Sequence, residues 1–395
     1  MSTNRHLCNC NLNNTVLNIS GTYDVAVIGG GLAGLALAIQ CVRAGYSTIV
    51  LEKEKYPFHK VCGEYISFES WNFLQELGVP LSDMELPVID RVMISSPNGK
   101  YIEHPLPLGG FGVSRHLLDD MLAKIARREG VILAENTKVV DVVYRNNSFM
   151  IFSSGGETEG IVAAGAFGKR SNLDVKWKRQ FTQVKPNKLN HFLGVKYHIK
   201  TAFPDDLIAL HNFENGYCGI SKIEGGKYCL CYLTTGENIK KSNNNIRSME
   251  ETILMKNPFL KEIFLKAEFL YDSPLTISRI SFNKKTQVEN HVLMIGDAAG
   301  MITPLCGNGM SMALHGSKIA FEEINQFMQK KTTRFELETQ YNQQWEKYFG
   351  GRLQTGRLIQ RFFGDDTLSN ILLTSVKPFP KFITYLIRQT HGQPF

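Results

Sequence analysis

No apolar run in this 395-residue chain reaches the roughly 18–20 residues that a helix needs to cross a bilayer, so hydropathy excludes a helical membrane span. The opening stretch, MSTNRHLCNCNLNNTVLNIS, has no apolar h-region and no small-residue cleavage pattern, so it is expected to be a flexible polar leader over residues 1–22, not a signal peptide. The eight cysteines, at 8, 10, 41, 62, 218, 229, 231 and 306, include no CxxC pair, and no histidine cluster offers zinc-ligand spacing. A structural metal is therefore not expected, and reduced thiols in a cytoplasmic setting are. A net charge of +7 is too small to imply nucleic acid. There is no internal repeat and no low-complexity linker, which excludes a solenoid or a string of beads.

Some local compositions leave alternatives open. The segment GKRSNLDVKWKRQFTQVKPNK, residues 168–188, carries many cations against a single Asp. It reads as a solvated connector or as a landing patch for an acidic electron donor or a membrane surface. Cys8 and Cys10 sit in the leader and read as part of a disordered tail. Cys229 and Cys231 alternate on an expected strand and read as small buried hydrophobes. The C-terminal SVKPFPKFITYLIRQTHGQPF mixes aromatics with Lys and Arg. It reads as a docked helix or as an interfacial contact that helps collect a greasy substrate.

What is present is a nucleotide pattern. In YDVAVIGGGLAGLALAIQCVRAGYSTIVLEK a buried strand, Tyr23–Ile28, runs into a glycine turn, a Leu/Ala-rich helix over Gly34–Ala44, a stop at Gly45 and a second strand. Residues 88–104 read as strands around an SPNGK turn, and residues 114–130 as an amphipathic helix capped by Ser114. A second sheet is expected over about 190–235, helix over 246–270, another buried strand at HVLMIG, and helix over most of 305–395. Nucleotide-type strands at both ends of the first 330 residues imply one interrupted domain. The expected division is an FAD-type domain of 23–87, 106–180 and 273–330, a substrate domain of 88–105 and 181–272, and a helical region of 331–395.

Gly29, Gly31 and Gly34 form G-x-G-x-x-G between strand and helix. The first glycine permits the turn, the second lets backbone approach a pyrophosphate, and the third lets helix and strand pack closely. The helix N-terminus faces the phosphates, and Glu52 ends the next strand where a carboxylate can accept from ribose hydroxyls. The segment VLMIGDAAGMITPLCGNGMSMAL, residues 292–314, resembles the second FAD fingerprint of glutathione-reductase-type flavoproteins. By that resemblance Asp297 contacts the ribityl chain, and Pro304, Gly307, Asn308 and Gly309 lead a helix N-terminus to the flavin. GVSRHLLDDML resembles the p-hydroxybenzoate-hydroxylase-like enzymes, by which Arg115 is a candidate FAD ligand; an ordinary surface salt bridge is the alternative reading. The hydroxylases' GADGxxS motif has its counterpart in VAAGAFGKRS, residues 162–171, with Ala164 standing for the Asp, which weighs against NADPH-driven hydroxylation.

YPFHKVCGEYIS is similar to the Cys-Gly segment of geranylgeranyl reductases, where a Cys lies beside the flavin, and to the Gly-Glu-Ser segment of flavin halogenases. GYCGISKIEGGKYCLCY aligns loosely with the reductases' GYxWxFP lining, and the halogenases' WxWxIP does not occur. The resemblance covers roughly residues 23–330. It implies an α/β fold, with a Rossmann-type FAD domain interleaved with an antiparallel substrate sheet, and a helical C-terminus. Cys62, Glu64 and His59 become the candidate catalytic groups, Cys62 as a proton donor or packing residue and the other two as proton relays or capping groups. The expected activity is FAD-dependent reduction or dehydrogenation of a C=C bond in a lipophilic isoprenoid- or polyketide-like substrate. The alternative is a flavin monooxygenase, hydroxylase- or halogenase-like, on a phenolic or quinone-like compound. The electron donor stays open between transient NAD(P)H, ferredoxin and a quinol. Rab-escort and GDP-dissociation-inhibitor proteins use a related fold for binding alone, which a flavin-coloured protein would exclude.

Overall fold

Nine residues of the first helix are buried, and the architecture follows from how they are covered. The computed structural model describes residues 19–185, 187, 189–303, 307–360 and 366–395. Strand β1 (Thr22–Ile28) enters helix α1 (Leu32–Arg43) through the glycine turn, and β2 (Thr48–Leu51) follows. The helix starts two residues before the expected Gly34, because Gly31 already serves as its N-cap. Burying Leu35, Leu37 and Ile39, each fully enclosed, contributes about 1.5–3 kcal/mol apiece. Of the leader, residues 1–18, with Cys8 and Cys10, lie outside the described residues; Ile19 is buried and its carbonyl accepts from Thr158 Oγ1 at 3.0 Å.

The chain then leaves this sheet for a second one. Strand β3 (Tyr65–Ser67) precedes α2 (Trp71–Glu76), and β4 (Val88–Ser95) and β5 (Tyr101–Gly112) form a hairpin. Helix α3 (Arg115–Arg128) returns to the first sheet, with the Ser114 hydroxyl accepting from the Leu117 N–H at 3.2 Å. There β6 (Ile132–Ala134), β7 (Val139–Arg145), β8 (Ser148–Ser153) and β9 (Gly156–Gly165) follow, closed by α4 (Asn172–Lys176) under a Ser171 capping box. A second excursion supplies β10 (Phe192–Lys200), β11 (Leu207–Phe213), β12 (Gly216–Ile223) and β13 (Lys227–Thr235). Short helices α5 (Gly236–Lys241), α6 (Ile246–Thr252) and α7 (Pro258–Lys266) and strands β14 (Glu268–Phe269) and β15 (Leu275–Ile280) complete it. Strands β16 (Val288–Glu289) and β17 (Val292–Met294) then rejoin the first sheet, and helices α8 (Gly309–Met328), α9 (Arg334–Gln360), α10 (Asp366–Val376) and α11 (Pro380–Thr390) finish the chain.

The first sheet runs β16-β17-β9-β1-β2-β6, with β8 joining β7 to β9. Its centre is parallel, with Val27 opposite Val50 on one side and Ala164 on the other, and Ala164 in turn opposite Leu293. The second sheet runs β14-β10-β13-β12-β11-β4-β5-β3, with β15 also on β10. It is antiparallel except where β4 and β11 pair in parallel, Arg91 opposite Leu207; the two strands come from separate excursions of the chain, so no hairpin constrains their direction. The fold is an FAD-type α/β sheet interleaved with a mainly antiparallel sheet, and the C-terminus is helical.

The strand exit near Ala164 differs from the motif alignment made above. Ala164 lies inside β9, fully buried. The strand ends at Gly165 and Ser171 caps α4, so the G-x-x-G-x-x-S spacing runs through Gly165, Gly168 and Ser171. That register puts Phe167, packed against Trp177 at 6.2 Å, at the acid's position. The hydroxylases' Asp is absent either way.

Candidate active site

The first glycine turn is built around its own carbonyl groups. Gly29 has φ +106°, which a side chain would strain. A Cβ on Gly34 would run into the Gly29 carbonyl oxygen, which is how closely α1 rides on β1. Gly31 is different: a Cβ there would meet Arg115 Nη2 and Lys60 Nζ, each at 3.5 Å. The space before the helix N-terminus is thus flanked by two cations, and no side chain caps the helix. Buried Glu52 accepts from the Gly30 N–H at 2.7 Å and from the Glu54 N–H at 3.0 Å. Each oxygen keeps a lone pair for a ribose hydroxyl. Uncapped N–H groups, two cations and a carboxylate at the end of β2 are the donor and acceptor set that an adenine dinucleotide requires, so the residues fit FAD.

Arg115 links this turn to the rest of the site. Its guanidinium makes a two-point contact with Asp119, 2.7 Å for each bond, and Lys60 Nζ reaches the same carboxylate at 3.0 Å. Burial opposes the charge on Asp119, but Arg115 and Lys60 outweigh it and hold the carboxyl below its ordinary value. Both Cys62 and Asp297 lie within electrostatic reach of the Arg115 guanidinium. One cation therefore has the glycine turn, the Cys-Gly segment and the second fingerprint around it.

Asp297 stands partly exposed in a single turn after β17, and its carbonyl accepts from buried Lys285 Nζ at 2.7 Å. Burial pushes the Lys285 ammonium down to about 8 despite nearby Asp174 and Asp297. Gly307 turns with φ +65°, against the ring of Tyr65. Gly309 opens α8, which packs along α1. Asn308, its fully buried N-cap residue, gives its Nδ2 to the Thr390 carbonyl at 2.8 Å, at the end of α11. Pro304 lies outside the described residues.

The 59–67 segment leads to a buried polar chain. Glu64 is fully buried with φ +57°, and its Oε1 accepts from the Arg115 backbone N–H at 2.8 Å and from Lys196 Nζ. His198 Nε2 lies 2.6 Å from Glu64 Oε2. An ionised carboxylate only accepts, so Nε2 donates to it. His198 Nδ1 is then left for the Tyr271 hydroxyl at 2.7 Å, and that oxygen lies 3.1 Å from His59 Nδ1. Burial alone would raise the Glu64 carboxyl, but His198 and Lys196 outweigh it and hold it below the ordinary range. Burial alone would lower Lys196, but Glu64 holds it up. His59, stacked on His116 at 4.4 Å, is pushed down to about 4 by burial and the cationic groups around it. Cys62 is partly exposed, and its carbonyl accepts from the Cys229 thiol at 3.2 Å.

Glu64, His198 and Cys229 form the one trio of metal-ligand type among the described residues. Both Glu64 oxygens are already engaged, one by the Lys196 ammonium and one by the His198 imidazole, and the Cys229 thiol donates to the Cys62 carbonyl. Of the groups named from sequence, Cys62, Glu64 and His59 share one neighbourhood with Arg115. Lys60, Asp119, Lys196, His198, Tyr271 and Lys285 were not anticipated. The signal for two of them was present: Lys196 and His198 alternate on one face of β10, opposite Cys231 and Cys229, which is polar pairing on an otherwise apolar strand. Tyr271 offered none, since it follows β14 in irregular chain.

An FAD binding domain model matches residues 24–59. Conditioned medium factor receptor 1 of Dictyostelium discoideum is 27% identical over 359 residues, covering 83% of this chain and 68% of that one. Digeranylgeranylglycerophospholipid reductase of Methanococcus vannielii is 24% identical over 352 residues, covering 83% of each chain. The solved flavin-dependent brominase Bmp2 superposes with a TM-score of 0.77 at 22% identity, covering 94% of this chain and 93% of that one. With that model on the glycine turn, relatives along most of its length and the same two-sheet fold, the chain is an FAD-dependent oxidoreductase, similar in sequence to digeranylgeranylglycerophospholipid reductases and in fold to a flavin-dependent brominase.

Proposed function

We propose that the protein reduces, or in the reverse direction forms, a C=C bond in a lipophilic isoprenoid- or polyketide-like substrate. FAD, when bound, supplies the two-electron step, with transient NAD(P)H, ferredoxin or a quinol as the source of electrons. The carrying observation is the chain of hydrogen bonds from Glu64 through His198 and Tyr271 to His59, beside Cys62. Reduction of an alkene consumes a proton at carbon, and a partly exposed thiol or imidazole backed by a buried relay can deliver one and be reprotonated. Arg115, Glu52, Asp297 and the glycines Gly29, Gly31, Gly34, Gly307 and Gly309 are the proposed cofactor ligands. Asn308 holds the second glycine turn in place.

The relay serves a second reading, a flavin monooxygenase on a phenolic or quinone-like compound, because that reaction also consumes protons. Phe167 in place of the hydroxylases' Asp favours the first. The deciding experiment reduces the purified flavoprotein without oxygen and adds a polyprenyl alkene. Saturated product under anaerobic conditions is the expected result; product that forms only with oxygen transfers the assignment to the second reading. Within the first reading, Cys62→Ala and Tyr271→Phe should retain flavin while kcat falls, by about 10²–10⁴-fold for loss of a general acid. Unchanged turnover in both variants would remove the relay from the reaction.

A further inference from the structure

The C-terminal helices carry a surface that the chemistry above does not use. From residue 367 to residue 395 there is no Asp or Glu, while Lys377, Lys381 and Arg388 are present. Helix α11 is amphipathic. Ile383, Thr384, Ile387 and Thr390 turn inward: Ile383 joins Ile102, Leu373 and Val376 in a small core, and Thr384 Oγ1 lies 2.8 Å from His104 Nε2 on β5. The outward side is not polar filler. Phe379 is 62% exposed, Phe382 46%, Tyr385 56%, and Ile371 on the preceding helix 56%. Lys377, Lys381 and Arg388 are exposed beside them, and among the described residues none has an acidic partner. At 100° per residue, Lys381, Tyr385 and Arg388 fall on one stripe, with Phe382 on its flank.

We propose that α11 docks the protein on the surface of an anionic bilayer, with Phe379, Phe382 and Tyr385 entering the headgroup layer and Lys377, Lys381 and Arg388 meeting lipid phosphates. Aromatic rings and the long stems of Lys and Arg are both satisfied at that depth. An acidic protein partner would account for the cations and leave the exposed rings unexplained. The stretch without Asp or Glu gives the charge complementarity, each basic residue near the surface adding to the attraction. Thr390, at the inner end of the helix, holds Asn308 and with it the second glycine turn, so docking would bring that turn close to the bilayer. The proposal does not depend on which reaction the flavin performs.

The test is co-sedimentation of the full chain with FAD and vesicles of phosphatidylcholine, with and without phosphatidylglycerol. Binding only to the anionic vesicles, reversed by salt, is expected. Replacing Lys377, Lys381 and Arg388 together by Gln should weaken binding on the order of 100-fold. Phe382→Ser with Tyr385→Ser should also release the protein, while thermal unfolding and flavin content stay unchanged, because these side chains are exposed. As a readout independent of those variants, Phe382→Trp should shift its emission to the blue on anionic vesicles and be quenched by brominated lipid. Failure of the wild type to sediment with anionic vesicles, equal binding by the triple Gln variant, or capture by an acidic protein without vesicle binding would each overturn the proposal.

Discussion

At Gly29 and at Glu64 the chain does the same thing, turning sharply with positive φ beside charged groups, but the two regions handle charge in opposite ways. Around Gly29 the strand and helix behind the turn are apolar, with Glu52 alone bonded to the turn itself, and cations border the space in front: Lys60 and Arg115, both held by Asp119, lie 3.5 Å from the position of a Gly31 Cβ, ready for an anion that arrives from outside. Around Glu64 the charge is inside, an acid and a lysine fully buried and bonded to each other. The first arrangement is completed by a ligand and the second is already complete. The first should therefore fail by losing cofactor, and the second by losing fold.

The sharpest break of that contrast is at the buried pair. Glu64→Leu leaves Lys196 charged in a dry interior and should destabilise the protein by about 3–5 kcal/mol. Adding Lys196→Met should recover most of that loss, since a matched apolar pair is often close to neutral in stability. Chemical denaturation of the two variants measures both numbers. A Glu64→Leu variant as stable as wild type would mean the pair is not buried as described.

Buried histidines should make the protein acid-sensitive in the second sheet and also on α8, where burial pushes His315 down to about 4. His211 on β11, with Nδ1 2.8 Å from Ser95 Oγ, is pushed down to about 3 by burial, and His59 to about 4. Their folded values lie below the ordinary 6.5, so the folded state resists protonation. Their contribution is full above pH 6.5 and is lost as pH falls from there towards about 4 for His59 and about 3 for His211. Glu64, whose carboxyl is held low, adds its own loss only below the ordinary 4.5. Melting curves from pH 7 to about 5 isolate the histidine contribution, and His211→Gln should flatten that limb.

On the nucleotide side the expected effect is on the ligand. Asp297→Ala and Arg115→Ala should each weaken FAD binding tenfold or more, equivalent to about 1.4 kcal/mol, as read by flavin titration. Normal flavin affinity in Asp297→Ala would remove the second fingerprint from the cofactor site.

The contrast also explains what could be read from the sequence. The nucleotide half is local: Gly29 to Glu52 spans strand, turn, helix and strand in order, and Gly-Asp at 296–297 repeats the logic. Contacts made within some thirty residues leave a spacing that can be recognised. The relay is not local, since His59, Glu64, Lys196, His198 and Tyr271 meet only after two excursions of the chain have been paired through β4 and β11. Glu64 could be named because it follows Cys62 and Gly63, but not its partners. The acid's position is different: Gly165, Gly168 and Ser171 already carry the G-x-x-G-x-x-S spacing in the sequence and set Phe167, not Ala164, at that position, and the end of β9 at Gly165 and the Ser171 cap agree with it.

The smallest effect tests the joint between the nucleotide half and the C-terminal helix. Asn308 donates to the Thr390 carbonyl at 2.8 Å, while its Oδ1 is buried without a partner among the described residues. Asn308→Ala removes one made hydrogen bond and one unsatisfied acceptor together, so the net cost should be only about 1 kcal/mol. Its consequence should appear at both ends of the contact. If the bond positions the second glycine turn, FAD affinity falls by a few-fold and protection of the Thr390 region against proteolysis falls with it. Asn308→Asp keeps the shape but can only accept, which sets a carboxylate against the Thr390 carbonyl, and it should be worse than Ala in both measurements. An Asp variant that binds FAD and resists protease as well as wild type would show that the C-terminal helix and the glycine turn are neighbours without being coupled.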